Sequence, residues 1–209
     1  LQYYDLCLPQ SEDLNGDGVV DQVFLSRGWA TAPRLMFFDG KTRDAWIEHR
    51  LPNARPVGLI RVARGDAGTA IFAVNEFHAG LYDAGGKPIW KAELDLPASA
   101  CSAWASPDGL RYAVGNREGM VIVLGPDGET KWKTLLAGPI AAIRPITADG
   151  GRLLVAHGQG MAAFEANEGK PLWTRGPVVS HVAQSGVGLV VTATEEGDLI
   201  AFDPDKLAP

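Results

Sequence analysis

Short apolar runs, each the length of a strand and too short for an ordinary helix, alternate along the chain with clusters of Gly, Pro, Asp and Asn. "LRYAVGN" at 110–116, "MVIVLG" at 120–125, "RLLVAHG" at 152–158 and "LVVTAT" at 189–194 are such runs, and "PDG", "REG", "ADGG" and "EEG" are the breaks beside them. No helical periodicity intervenes, so the pattern predicts an all-β chain.

The runs recur with a period. Trp46, Trp90, Trp132 and Trp173 stand 44, 42 and 41 residues apart, within the phrases "FFDGKTRDAW", "LYDAGGKPIW", "VLGPDGETKW" and "AFEANEGKPLW". Each phrase reads as an apolar strand, a turn of Asp, Asn and Gly, and a short strand bearing the Trp. "IAFDPDK" at 200–206 begins a fifth phrase that stops before any Trp. Reading upstream adds two strands per unit: "CSAWAS" and "LRYAVGN" in the third, "AAIRPI" and "RLLVAHG" in the fourth, "SHVAQS" and "LVVTAT" in the fifth. Four short antiparallel strands at a period of about 40–50 residues make one propeller blade. The expectation is a single all-β domain over 1–209, a β-propeller of about five four-stranded blades at 1–52, 53–96, 97–136, 137–176 and 177–209, or a part of a larger ring. One Trp at an equivalent position in each unit is what packing between blades requires. Trp29 and Trp104 lie off that register and are the better candidates for a binding surface, although packing is the stronger expectation for both.

Composition narrows what such a protein does. The net charge of −6 is spread along the chain, with no block of lysine or arginine to neutralise a row of phosphates, so nucleic acid is not an expected partner. No apolar run approaches the roughly 20 residues that cross a bilayer as a helix. The chain begins at Leu1, as a processed protein or a piece of a longer one would. Cys7 and Cys101 are too few for a disulfide scaffold, and their places in the first and third units favour two buried free thiols.

The repeated phrases resemble the pyrroloquinoline-quinone-like β-propeller repeat family, whose unit runs through a strand, "G.LYALD", a Gly-containing turn and "LW". "GLYDAGGKPIW" and "MAAFEANEGKPLW" carry the resemblance best, over about residues 54–209. It implies a fold more than a function, since the family includes quinoenzymes, outer-membrane assembly lipoproteins and scaffolds. The quinoenzymes stack their cofactor on a vicinal cysteine disulfide, and this chain has no vicinal pair, so no quinone is expected.

One stretch carries a metal signature. "DLNGDGVVD" at 13–21 places side-chain oxygens at positions 1, 3, 5 and 9 (Asp13, Asn15, Asp17 and Asp21), a glycine at position 6 (Gly18), and the Val19 carbonyl at position 7. Ca²⁺ takes several hard oxygen ligands, and this spacing wraps them around one centre. An EF-hand needs a glutamate at position 12, where Phe24 stands in an apolar strand. The segment, over about residues 3–40, resembles instead the FG-GAP loop of integrin-type propellers, "D.NGDG..D", which implies a structural Ca²⁺ between the first two strands of a blade, at its rim. The bland alternative is an Asx-rich turn with no ion. The strands on either side of the loop are expected at "LQYYDLCL" and "DQVFLSR".

Nothing else points to chemistry. His49, His78, His157 and His181 lie in different units, and no nucleophile motif or phosphate-binding loop is present. The function expected is therefore that of a noncatalytic, periplasmic or extracellular scaffold, binding other proteins as an accessory subunit of a membrane-associated envelope complex. The competing expectation is a carbohydrate-binding or dehydrogenase-like propeller with a site at its channel mouth. The compartment follows from the family resemblance and from the Ca²⁺ loop.

Overall fold

A computed structural model describes residues 10–26, 34–50, 59–65, 68–74, 77–147, 150–175, 179–184, 190–194 and 197–203. All regular structure among them is β, and the fold is of the β-propeller class. The first sheet is a meander of β1 (Gln10–Glu12), β2 (Asp21–Ser26), β3 (Arg34–Phe38) and β4 (Ala45–Arg50). The second holds β5 (Leu59–Gly65), β6 (Gly68–Val74), β7 (His78–Asp83) and β8 (Pro88–Glu93). The third holds β9 (Ala98–Ser106), β10 (Gly109–Asn116), β11 (Met120–Leu124) and β12 (Thr130–Leu135). The fourth holds β13 (Ile140–Pro145), β14 (Arg152–His157), β15 (Gly160–Glu165) and β16 (Pro171–Arg175), and the fifth β17 (Val179–Gln184), β18 (Val190–Thr194) and β19 (Leu199–Phe202). Every pairing is antiparallel and joins strands adjacent in sequence, as short Gly- and Asp-rich turns dictate. The chain divides into two compact units, Leu1–Pro97 and Ala98–Pro209.

Alternation along each strand gives every sheet two faces, and each unit is built by laying one face on the next sheet. In the first unit a front face of Val23, Leu35 and Phe37 packs on a back face of Ile71, Ala73 and Tyr82 from the second sheet. In the second unit the front of the third sheet (Ala113, Val121 and Val123) packs on the back of the fourth (Leu153, Val155, Ala162 and Phe164). The front of the fourth (Leu154, Ala156 and Met161) then packs against Val190 of the fifth. The registers are the same: Val23 pairs with Phe37 as Ala113 pairs with Val123, and Ile71 pairs with Tyr82 as Leu153 pairs with Phe164.

Tryptophans tie the third sheet to the fourth. Trp132 lies 5.7 Å from the Phe164 ring and its Nε1–H donates to Ala166 O at 2.7 Å. Trp104 is buried and its Nε1–H donates to Gly150 O at 3.1 Å, so this residue serves packing and not a binding surface. Gly150 has a φ of +67°, and a Cβ there would come within 2.4 Å of the Trp104 ring, so only glycine allows this approach. The Trp90 ring lies 5.9 Å from that of Phe72, tilted by 50°, and Trp173 packs against the core shared by the fourth and fifth sheets.

Trp46 does not share the register of the other three. Leu81 pairs with Trp90, Val123 with Trp132 and Ala163 with Trp173, but the equivalent Phe37 pairs with Ile47. The hairpin after β3 closes from Asp39 N to Asp44 O, whereas the one after β7 closes from Asp83 N to Lys87 O. The first turn therefore takes one residue more over the same Trp spacing, and Trp46 slips out of the shared position. The expected first strand at 1–8, together with Cys7 and Trp29, lies outside the described residues; among the described ones Gln10–Glu12 pair with β2 ahead of the acidic loop. Cys101 is buried in β9.

Candidate functional site

The acidic loop joins β1 to β2, and its side chains fold back on its own backbone. Asp13 Oδ1 accepts from Gly16 N at 2.8 Å and Oδ2 from Gly18 N at 3.1 Å. Asn15 Oδ1 accepts from Asp17 N at 3.0 Å, and Asp17 Oδ1 from Val19 N at 2.9 Å. These are Asx turns, in which a short polar side chain takes the place of a backbone acceptor two or more residues on. Gly18 sits at φ +84°, the left-handed turn that glycine allows at position 6.

Asp21 differs from its neighbours. It is fully buried, accepting from Leu14 N at 2.8 Å and Asn15 N at 3.4 Å on Oδ2, and from Gly40 N at 2.9 Å on Oδ1. One carboxylate thus fastens the acidic loop to the β3–β4 turn. Leu14, beside the bonded amide, inserts into the core between the first two sheets. Asn15 Nδ2 donates to Asp39 Oδ2 at 3.3 Å, and Lys41 Nζ lies 3.9 Å from Asp17 Oδ2. Asp39 accepts the amides of Lys41 and Thr42 at 2.7 and 2.8 Å, and the Thr42 bond above all holds its carboxyl below the usual value.

The sequence-derived ligands Asp13, Asn15, Asp17, Val19 and Asp21 therefore occupy one loop, with Asp21 turned toward the β3–β4 turn. Among the described residues no group of three or more His, Cys, Asp or Glu side chains is gathered as a metal site. The donor set suits Ca²⁺ in kind, because an ionised carboxylate offers about four acceptor positions and can serve an ion and an amide together. Of the histidines, His157 is buried with Nδ1 3.0 Å from Ala137 O and His78 is half-buried in β7, and the side chains of His49 and His181 lie outside the described residues.

A second feature had no sequence signal. Beside the β3–β4 turn the back face of the first sheet opens on a cavity of about 480 Å³, lined by Gln22, Phe24, Met36, Phe38, Asp39, Gly40 and Arg43. Phe24 and Phe38 meet edge-to-face at 5.3 Å. Arg43 adopts φ 64°, rarely taken by a residue with a side chain. The lining is mostly apolar, with Gln22, Asp39 and Arg43 as its polar members, which equips the cavity to bury hydrophobic surface.

Comparison with known proteins adds a family. The family model described as "Outer membrane protein assembly factor BamB" matches residues 76–206, and does not reach the acidic loop, so the FG-GAP resemblance gains no support from it. Outer membrane protein assembly factor BamB of Burkholderia pseudomallei (strain K96243) is 36% identical over 90 residues, 43% of this chain and 22% of that protein. The protein of the same name from Bordetella pertussis (strain Tohama I) is 30% identical over 125 residues, 56% of this chain and 31% of that protein. The chain thus spans less than a third of the length of either curated relative. Among solved structures, BBS1N in complex with ARL6DN superposes with a TM-score of 0.73 at 16% identity, covering 100% of this chain and 69% of that one. BamB from Moraxella catarrhalis superposes with a TM-score of 0.62 at 17% identity, covering 98% and 62%. At such identities these structures speak to the fold alone.

Proposed function

Because the chain belongs to the family described as outer membrane protein assembly factor BamB, matched over residues 76–206, we propose that it is a noncatalytic, extracytoplasmic propeller that binds other proteins as an accessory subunit of an outer-membrane assembly complex. The family match carries the reading. One further observation supports it: the cavity of the first sheet is lined mostly by apolar side chains. A carbohydrate-binding or dehydrogenase-like propeller would need convergent polar groups in its cavity. Purification of the native protein from its own membranes in mild detergent is expected to yield a stoichiometric complex containing an outer membrane protein. A lone monomer that turns over a sugar or an alcohol would overturn the proposal.

We further propose that the loop Asp13–Asp21 holds a structural Ca²⁺ through Asp13, Asn15, Asp17 and Asp21 and the Val19 carbonyl. Three carboxylates within nine residues repel one another, and a cation relieves that repulsion. Asp17 is the informative position, because it makes only the local bond to Val19 N and the long contact to Lys41. Calorimetry is expected to show Ca²⁺ binding that Asp17→Ala abolishes, with a chelator lowering the melting temperature of the wild type only. Equal stability with and without chelator would leave the loop to its Asx turns.

A further inference from the structure

We infer that Asn15 is a self-modification site, at which the backbone nitrogen of Gly16 attacks the Asn15 side chain and converts it to an aspartyl or isoaspartyl residue. Asn15 and Gly16 form the only Asn-Gly pair in the chain. Closing a five-membered ring between a side-chain carbonyl and the next backbone nitrogen needs space beside that nitrogen, which a Cβ on the following residue takes away. At Gly16, with φ +79°, no atom lies within 4 Å of where a Cβ would stand. The bonds of the loop supply the rest. Gly16 N–H donates to Asp13 Oδ1 at 2.8 Å, so a carboxylate stands where the attacking nitrogen must shed its proton. Asn15 Oδ1 accepts from Asp17 N at 3.0 Å, and that N–H lies where negative charge develops as the carbonyl is attacked. Asn15 Nδ2 donates to Asp39 Oδ2 at 3.3 Å, so the side-chain amide is fixed at both ends. Between Asp13 and Asn15, Leu14 is anchored in the core and its amide is bonded to Asp21, which holds both neighbours in place and leaves little to be ordered on the way to reaction.

The reaction needs only water. A bond forms from Gly16 N to Asn15 Cγ, the Cγ–Nδ2 bond breaks, and the proton lost by Gly16 leaves with Nδ2 in ammonia. Water then opens the succinimide at either carbonyl, giving aspartate at position 15 or an isoaspartyl linkage with one more carbon in the backbone. Two other places in the chain show what is particular to Asn15. Asn116 Oδ1 also accepts the amide two residues on, Glu118 N at 3.1 Å, but Arg117 follows it, so its side chain caps a turn and stays intact. Asp17 and Gly18 repeat the loop geometry, with Val19 N on Asp17 Oδ1 and Gly18 N on Asp13 Oδ2, but a carboxylate is a poorer electrophile than an amide. The inference rests on neither the calcium nor the envelope-complex reading, and each can fail alone.

Peptide mapping by mass spectrometry of the 209-residue chain, incubated at neutral pH with a chelator, tests it. Asn15 is expected to lose its amide at least about tenfold faster than Asn53, Asn75, Asn116 and Asn167, with an isoaspartyl product that an isoaspartate methyltransferase labels. It is also expected to react about tenfold faster in the native chain than in the same chain unfolded in guanidinium chloride, where the Asn-Gly pair remains and the loop bonds do not. Asp13→Asn keeps an acceptor for the Gly16 amide and removes the base, and is expected to bring the native rate down to the unfolded one. An Asn15 that persists in the native chain overturns the inference. So does a native rate no faster than the unfolded one, or an Asp13→Asn variant that reacts like the wild type. Far-UV circular dichroism checks the fold of the variant; if that is lost, the native and unfolded rates of the wild type decide.

Discussion

Replacing Trp104 with alanine is expected to cost about 3–5 kcal/mol, the range for deleting a buried tryptophan, with up to about 1.5 kcal/mol of it from the lost hydrogen bond. Trp104 retains 5% of its exposure, and it is the residue whose indole N–H reaches across to the Gly150 carbonyl of the neighbouring sheet. The turn holding that carbonyl is shaped around the ring, since a side chain at position 150 would occupy the same space. Neither the ring's volume nor its N–H has a substitute nearby. Domain stabilities run at about 5–15 kcal/mol, so the variant is expected to be partly unfolded at physiological temperature. Urea denaturation of the wild type, Trp104→Ala and Trp104→Phe measures this, with the phenylalanine restoring most of the packing and none of the bond. A loss below about 1 kcal/mol for the alanine variant would mean that the third and fourth sheets are not held through this residue.

Asp21→Ala is expected to rank next, at about 3–5 kcal/mol. The carboxylate is completely buried and accepts from amides on two loops, and a hydrogen bond to a charged acceptor contributes about 1.5–3 kcal/mol. Alanine leaves the Leu14 and Gly40 amides without that acceptor and releases Leu14 from the core it plugs. Asp21→Asn keeps one oxygen and turns an NH₂ toward the other donor, so it is expected to lose about half as much. Chemical denaturation with hydrogen exchange at Leu14 and Gly40 separates a local opening from a global loss; protection unchanged at both amides would contradict the bond geometry. Because Asp21 fastens two loops whether or not an ion is present, its removal says nothing about Ca²⁺, which is why Asp17 is the position for that question.

Much of this fold was legible because its turns are marked by residue type. In the third and fourth units Gly, Asp and Asn bound every apolar run, and β10, β11, β14 and β15 fall where the runs do. The first unit was less legible. The described part of β1 is Gln-Ser-Glu, which gives no hydrophobic pattern, and the strand expected at 1–8 lies outside the described residues. The displacement of Trp46 was hidden for a related reason: spacing counts residues, and the one residue added to a hairpin turn shifts register without changing the count. At the candidate site the spacing of the acidic loop was readable, but the choice of Asp21 as the buried fastener was not, because it depends on where the Gly40 amide arrives from a turn nineteen residues on. The cavity of the first sheet escaped for the simplest reason. Phe24, Met36 and Phe38 look like core in any sequence, and only packing tells which apolar residues line a cavity.

The unbroken adjacency of strand pairing has a consequence for how the chain acquires its structure. Every pairing joins strands that follow one another in the chain, over connections of at most eight residues, so little entropy is spent before the first pairings form, and such topologies fold faster than those with distant partners. A single sheet nonetheless has nothing to lay its front face on until its successor exists. Synthesis from the N-terminus therefore leaves the newest sheet provisional at each stage, and stability accumulates one neighbour at a time, as in a row of coupled repeats.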